Sequence, residues 1–250
     1  MTFEKSPFQG RIKIFRDGAD RATMLEMNQN PLVRGFTTNP SLMKKAGVKD
    51  YGAYCREILG QIGSKPISFE VFADEPAEMK RQALKIHGWE KEVPGSAVYV
   101  KIPIMNSHGE TTLPLIRELS RQGVRINITA VYSLMQTLDI CEAVKGGAPS
   151  IVSIFAGRIA DTGRDPLPMM QAAVEICRSF DPQGRTIELL WASTREAWNI
   201  VQAEVIGCQI ITSPADMIRK VSTFNRPVDE LSLDTVRTFK KDSDAAGFQL

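Results

Sequence analysis

The sequence predicts an α/β fold, a single (β/α)8 TIM barrel, and three observations carry that prediction. Eight short runs rich in β-branched and other apolar residues recur along the 250-residue chain, each of strand length. Segments with apolar residues at helical spacing lie between them, long enough to cross back over a sheet. No turn of the Asn-Gly type joins consecutive runs, so the strands are expected to pair in parallel. An open doubly wound sheet would show the same alternation. However, no G-x-G-x-x-G follows any run, which argues against the commonest dinucleotide-binding use of that architecture.

Taken in order, residues 11–15 form the first strand and 33–37 the second, with Asn39-Pro40-Ser41 placing an N-cap and a first-turn proline at the start of a helix. Residues 67–72 form the third strand, followed by a helix over 76–86 that opens on Pro76. The fourth, 98–104, is the most continuously apolar. After it, residues 111–121 carry Leu115, Ile116 and Leu119 on one stripe and turn Arg117, Glu118 and Arg121 to water. The remaining strands are 125–131, 151–155, 186–191 and 209–211, alternating with helices over 133–144, 166–179 and 194–205. A closing helix over 234–248 has an apolar stripe suited to the barrel or to a neighbouring subunit. Proline and glycine are spread evenly, so residues 1–250 read as one domain without a linker.

Hydrophobic residues make up 43% of the chain, enough for a full core, and 31 Lys and Arg against 29 Asp and Glu leave a net charge of +2. That balance excludes a general electrostatic attraction to nucleic acid or to acidic membranes. Neither a signal-peptide core in residues 1–10 nor a membrane-length apolar stretch is present. Cys55, Cys141, Cys177 and Cys208 form no C-x-x-C pair, as expected of a reducing compartment, and the cytoplasm is the expected location. His87 and His108 are the only histidines and match no zinc spacing, so no metal site is expected.

Lys101 interrupts the apolar run of residues 97–104. Burial disfavours an ammonium, and a lysine amine is a nucleophile for ketones and aldehydes through a Schiff base. The plainer reading is a lysine whose stem is buried while its charge reaches water or a carboxylate.

In such a barrel, chemistry sits at the C-terminal ends of the strands. Those ends carry Asp17, then Thr37-Thr38-Asn39, Glu70, Lys101, Asn127 and Thr129, Ser153 and Phe155, and Ser193. Polar groups in apolar strands need partners, and here they are expected to face one mouth. For Asn39 and Asp17, helix capping is a competing role; for Glu70, a salt bridge to Lys101 is one. Arg158 and Arg195, above adjacent strands, make a natural fork for a phosphate, unless each is simply solvated.

These residues fall in segments that resemble the transaldolase family, including its smaller fructose-6-phosphate aldolase branch. Gly35-Phe36-Thr37-Thr38-Asn39-Pro40-Ser41-Leu42 is similar to the family's second-strand signature. Val100-Lys101-Ile102-Pro103 is similar to its Schiff-base strand, and Gly157-Arg158-Ile159 with Ala192-Ser193-Thr194-Arg195 to its phosphate-binding turns. The resemblance implies that Lys101 attacks the ketone of a ketose phosphate, that Glu70 and a water near Thr129 move protons, and that Asp17 takes the C4 hydroxyl proton. It implies that Asn39, Thr38, Asn127, Ser153 and Phe155 surround the bound fragment while Arg158, Ser193 and Arg195 hold the phosphate.

By the same resemblance no cofactor is needed, the partners are small sugar phosphates, and a homo-oligomer is expected. Glu70 and Phe155 match the transferase branch, where the aldolase branch has Gln and Tyr. Phe15-Arg16-Asp17-Gly18-Ala19-Asp20 departs from the usual Asp-Thr form of the first strand, as Trp191 and Thr194 do in the seventh-strand motif. An aldolase releasing free dihydroxyacetone, or a barrel that only binds sugar phosphates, are the alternatives.

Overall fold

The computed structural model describes residues 5–249; residues 1–4 and 250, the ends of the expected domain and part of the N-terminal segment read for a signal peptide, lie outside the described residues. Eight parallel strands close into a barrel in sequence order: β1 (Lys13–Asp17), β2 (Val33–Thr37), β3 (Pro66–Glu70), β4 (Ala97–Pro103), β5 (Ile126–Val131), β6 (Ser150–Ile154), β7 (Ile187–Trp191) and β8 (Ile210–Ser213). The expected (β/α)8 fold is therefore the observed one.

Strand positions shift by a residue or two from the apolar runs, and two shifts matter for the site. β1 reaches Asp17 and β8 reaches Ser213, because register with their neighbours carries pairing past the last apolar residue. Arg16 pairs with Phe36 and Ser213, and Asp17 with Thr37.

The helices are α1 (Arg21–Asn28), α2 (Pro40–Lys45), α3 (Tyr51–Ile62), α4 (Pro76–Glu92), α5 (Leu113–Arg121), α6 (Leu134–Val144), α7 (Ala156–Ala160), α8 (Leu167–Phe180), α9 (Trp198–Val205), α10 (Ala215–Arg219) and α11 (Val228–Ala246). The sequence implies a helix capped near Asp17 without giving bounds for α1, and α3, α7 and α10 follow from no run read in it. α9 starts at Trp198 instead of Thr194, since the Asn199 side-chain oxygen accepts from the Arg195 and Glu196 N–H groups and holds that segment as a turn. The stripe on α5 is as expected, with Leu115, Ile116 and Leu119 buried.

The interior of the barrel is layered. Phe15, Ile151, Leu190 and Ile210 fill its floor, with Tyr99 against them. Gly35 makes room for this: a Cβ there would lie 2.7 Å from two Phe15 ring carbons and 2.8 Å from the Pro66 carbonyl oxygen. Above the floor, Asn127 donates to the Ser68 hydroxyl at 2.9 Å and accepts from the Ser153 hydroxyl at 2.6 Å. The rest of the core lies between the outer strand faces and the helices.

All four cysteines are buried and free, and the Cys141 and Cys177 sulfurs approach to 3.9 Å between α6 and α8. No helix among the described residues is long and apolar enough to cross a membrane. The expected closing helix begins at Val228, six residues earlier than the stripe suggested, and none of its residues is buried against its own barrel. Leu231, Val236 and Phe239 on α11 are exposed.

Candidate active site

Lys101 leaves β4 into the barrel mouth and is 6% exposed. Its Nζ lies 3.1 Å from Glu70 Oε2 and donates to the Thr38 carbonyl at 3.1 Å. Glu70 is its register partner on β3, so neighbouring parallel strands set the pair directly. The competing reading of Glu70 as the lysine's ion-pair partner thus describes the same geometry as a site residue would have. Tyr51 of α3 donates to the Glu70 carbonyl at 2.8 Å and anchors the end of β3.

On the facing side, Asp17 accepts from the Thr37 hydroxyl at 2.8 Å, and Thr37 is also in contact with Thr212 of β8. Burial pushes the Asp17 carboxyl above its ordinary range; Lys101, the Thr37 hydrogen bond and Arg16 act against that rise. Asp17 caps no helix, since Asp20 supplies the N-cap of α1, bonding the Thr23 N–H at 2.9 Å.

An inner cavity of about 110 Å³ is lined by Asp17, Thr37, Asn39, Lys101, Thr129, Ser153, Phe155, Arg158 and Ser193, together with Leu190, Ala192 and Thr212. A wider cavity of about 410 Å³ shares Asn39, Lys101, Thr129, Phe155 and Arg158 with it and adds Glu70 and Ala130. Asn39 caps α2 through the Leu42 N–H at 2.9 Å, as its capping reading expects, and also lines both cavities. The hydroxyl of Thr129 is buried and has no hydrogen-bond partner. A register shift in β5 after Ile128, with Ala130 at φ 60°, turns the strand at this point.

Three expected site side chains line neither cavity. Thr38 points the other way along the strand alternation, its hydroxyl donating to the Ser68 carbonyl at 2.8 Å, and reaches the site only through its own carbonyl. Asn127 spends its amide on Ser68 and Ser153. Arg195 is taken up by Asp161, with Nη2–Oδ2 at 2.5 Å and Nε–Oδ1 at 2.8 Å.

Arg158 is exposed and stacks over Phe155, its guanidinium carbon 5.0 Å from the ring centre, and it reaches the Tyr132 hydroxyl at 3.4 Å. Ser193 takes φ 67°, and Gly157 crosses so near that a Cβ on it would lie 1.6 Å from the Ser193 carbonyl oxygen. The start of α7 and the turn after β7 are thus fitted to each other above β6 and β7.

Sequence reasoning named Thr37 among the strand-end residues without giving it a role, and it missed Thr212. Strand alternation from Asp17 and Lys101 would have selected Thr37 over Thr38, and β8 read to its full length would have included Thr212. Among the described residues no group of three or more His, Cys, Asp or Glu side chains is placed to hold a metal ion.

The family model described as Transaldolase/Fructose-6-phosphate aldolase matches residues 14–250. A Dehalococcoides mccartyi protein named "Probable transaldolase" is 32% identical over 210 residues, 84% of this chain and 90% of its own. One of the same name from Methanococcus maripaludis strain C7 is 32% identical over 223 residues, covering 89% and 94%. A third, from Bdellovibrio bacteriovorus, is 33% identical over 211 residues, covering 84% and 90%.

Proposed function

The chain belongs to the transaldolase/fructose-6-phosphate aldolase family, and from that premise we propose that it is a transaldolase that moves a dihydroxyacetone unit between sugar phosphates through a Schiff base on Lys101. The observation that carries this is a buried lysine amine 3.1 Å from Glu70 at the barrel mouth, lining the same small cavity as Asp17.

Lys101 passes a proton to Glu70, and its amine attacks the C2 ketone of the donor. Glu70 returns the proton as the carbinolamine loses water, with the partnerless Thr129 hydroxyl placed to hold a water between them. The iminium then accepts electrons. Asp17 takes the C4 hydroxyl proton, the C3–C4 bond breaks with its pair moving into the enamine, and the first aldose phosphate leaves. A second aldose phosphate re-forms the bond in reverse.

Asn39 and Ser153 face the retained three-carbon fragment, with Thr38 and Asn127 supporting the lysine and Ser153 from behind. Arg158 and Ser193 are suited to the phosphate, and Arg195 joins them if Asp161 releases it. Lysine supplies the electron sink, so no cofactor enters. Free buried cysteines suit a cytoplasmic enzyme, and the exposed apolar stripe of α11 suits a homo-oligomer.

Borohydride added with fructose 6-phosphate is expected to leave a stable adduct on Lys101, located by peptide mass spectrometry. An adduct on another lysine, or none, would end the Schiff-base reading and leave a barrel that only binds its ligand. Glu70 and Phe155, rather than Gln and Tyr, favour transfer over release of free dihydroxyacetone.

A further inference from the structure

Arg16 precedes Asp17 on β1 and leaves the strand on the opposite face, toward the helical layer. It is 5% exposed, and its Nε and Nη1 have no hydrogen-bond partner. The guanidinium folds over the turn that follows the strand: a Cβ on Gly18 would lie 2.3 Å from Nη1 and 2.5 Å from Cζ. Gly18 has φ 145° and its N–H bonds the Thr37 carbonyl at 3.0 Å, so no residue with a side chain fits beneath this arginine. Arg16 and Gly18 therefore form a matched pair on either side of Asp17, at the place where the chain departs from the usual first-strand sequence.

A buried guanidinium keeps its charge and carries a large desolvation penalty, so an arrangement that leaves its N–H groups unpaired needs a compensating role. The charged and titratable groups that act on it through space are Asp17 on β1, Asp20 at the start of α1, Tyr54 on α3 and Arg219 on α10. Asp20 is exposed and engaged with Thr23, and Arg219 is paired with Glu26 at 2.7 Å. Asp17 remains as the acid whose state this cation can bias.

We propose that Arg16 is a positioning residue for Asp17, its buried guanidinium fixing the β1–α1 turn through Gly18 and supplying the nearby positive charge that favours the Asp17 carboxylate. The proposal rests on the reading of Asp17 as the base of C3–C4 cleavage. Against the effect of burial on Asp17 stand Lys101 first, then the Thr37 hydrogen bond, and then Arg16. Lys101 is consumed in the Schiff base and Thr37 carries no charge, so Arg16 supplies the positive charge that the chemistry does not use.

The test compares R16M, R16Q and R16K with the wild type, using fructose 6-phosphate as donor and erythrose 4-phosphate as acceptor. In the neutral variants the ascending limb of the kcat/KM pH profile moves to higher pH, and kcat below that limb falls about tenfold for a shift of one unit, while KM is little changed. Borohydride trapping on Lys101 survives, because Schiff-base formation does not use Asp17. R16K restores most of kcat and the limb.

A folded neutral variant with the wild-type profile overturns the proposal. So does an R16K as impaired as the neutral variants, or neutral variants that fail to fold beside a fully active R16K, which would make the charge a folding requirement alone. If the wild type itself traps nothing on Lys101, the reading of the site fails, and that result is separate from any effect of Arg16.

Discussion

Arg195 gives its Nε and Nη2 edge to the Asp161 carboxylate, whereas Arg158, on α7 above the neighbouring strand, stacks on the Phe155 ring and reaches the Tyr132 hydroxyl. Two arginines that look equivalent in sequence are therefore unequal. One is already neutralised; the other is available to an anion entering the mouth.

R158A is expected to raise KM for phosphorylated ketoses roughly ten- to a hundredfold, the loss of one charge-assisted bond worth about 1.5–3 kcal/mol. R195A should cost less, because a phosphate must first displace Asp161. Unphosphorylated analogues serve as the control: equal losses for both substrate classes would show damage to the fold and reject the anion role.

Thr37 holds Asp17 from β2 with a hydrogen bond of 2.8 Å that favours the carboxylate. Removing it in T37V leaves burial less opposed, so the Asp17 carboxyl moves further up. In the proposed mechanism Asp17 works ionised, hence the ascending limb of kcat/KM should shift to higher pH and activity should fall on the acid side. A profile that moves down or stays fixed contradicts this role.

E70Q combined with F155Y should raise the share of plain aldol cleavage at the expense of transfer, since proton traffic around the enamine decides its fate. Free dihydroxyacetone is measured against transferred product in the same reaction. An unchanged ratio in the double variant means that other residues set the reaction type.

G35A is expected to cost about 1–3 kcal/mol of stability, because the added methyl meets the Phe15 ring and a backbone carbonyl that cannot rotate away. Thermal unfolding should show a midpoint several degrees lower. Little change would mean that the barrel floor yields more easily than a close-packed interior should.

Replacing Val236 and Phe239 with Asp should lower the mass measured by light scattering if the exposed face of α11 meets a second copy. Both side chains are exposed in the single chain, 60% and 68%, so the substitutions leave the barrel intact. An unchanged mass would separate α11 from any subunit contact.

The barrel was legible because strand and helix periods alternate along the whole chain, and Lys101 and Glu70 were legible because a charge inside an apolar strand has few explanations. What stayed hidden depends on where a side chain turns at a strand end. Thr37 and Thr38 are adjacent hydroxyls, and only the strand phase assigns one to the cavity and the other to Ser68. Asn127 lies one layer too deep, and Arg195 meets an acid that no spacing rule connects to it. Arg16 stood in the sequence only as part of a departure from the usual first-strand form, because burial of its charge arises from the turn at Gly18 and from helices distant in sequence.

The floor of Phe15, Ile151, Leu190 and Ile210 stops the barrel from being a passage. Reactants and products share a single doorway at the end that carries Lys101. In the proposed transfer a three-carbon fragment is tethered there, and the departing aldose phosphate has to vacate the opening before the next can come in. Donor product and acceptor then compete for the same space, and the steady-state kinetics should follow a ping-pong pattern with parallel lines in double-reciprocal plots, each aldose phosphate inhibiting the half-reaction of the other.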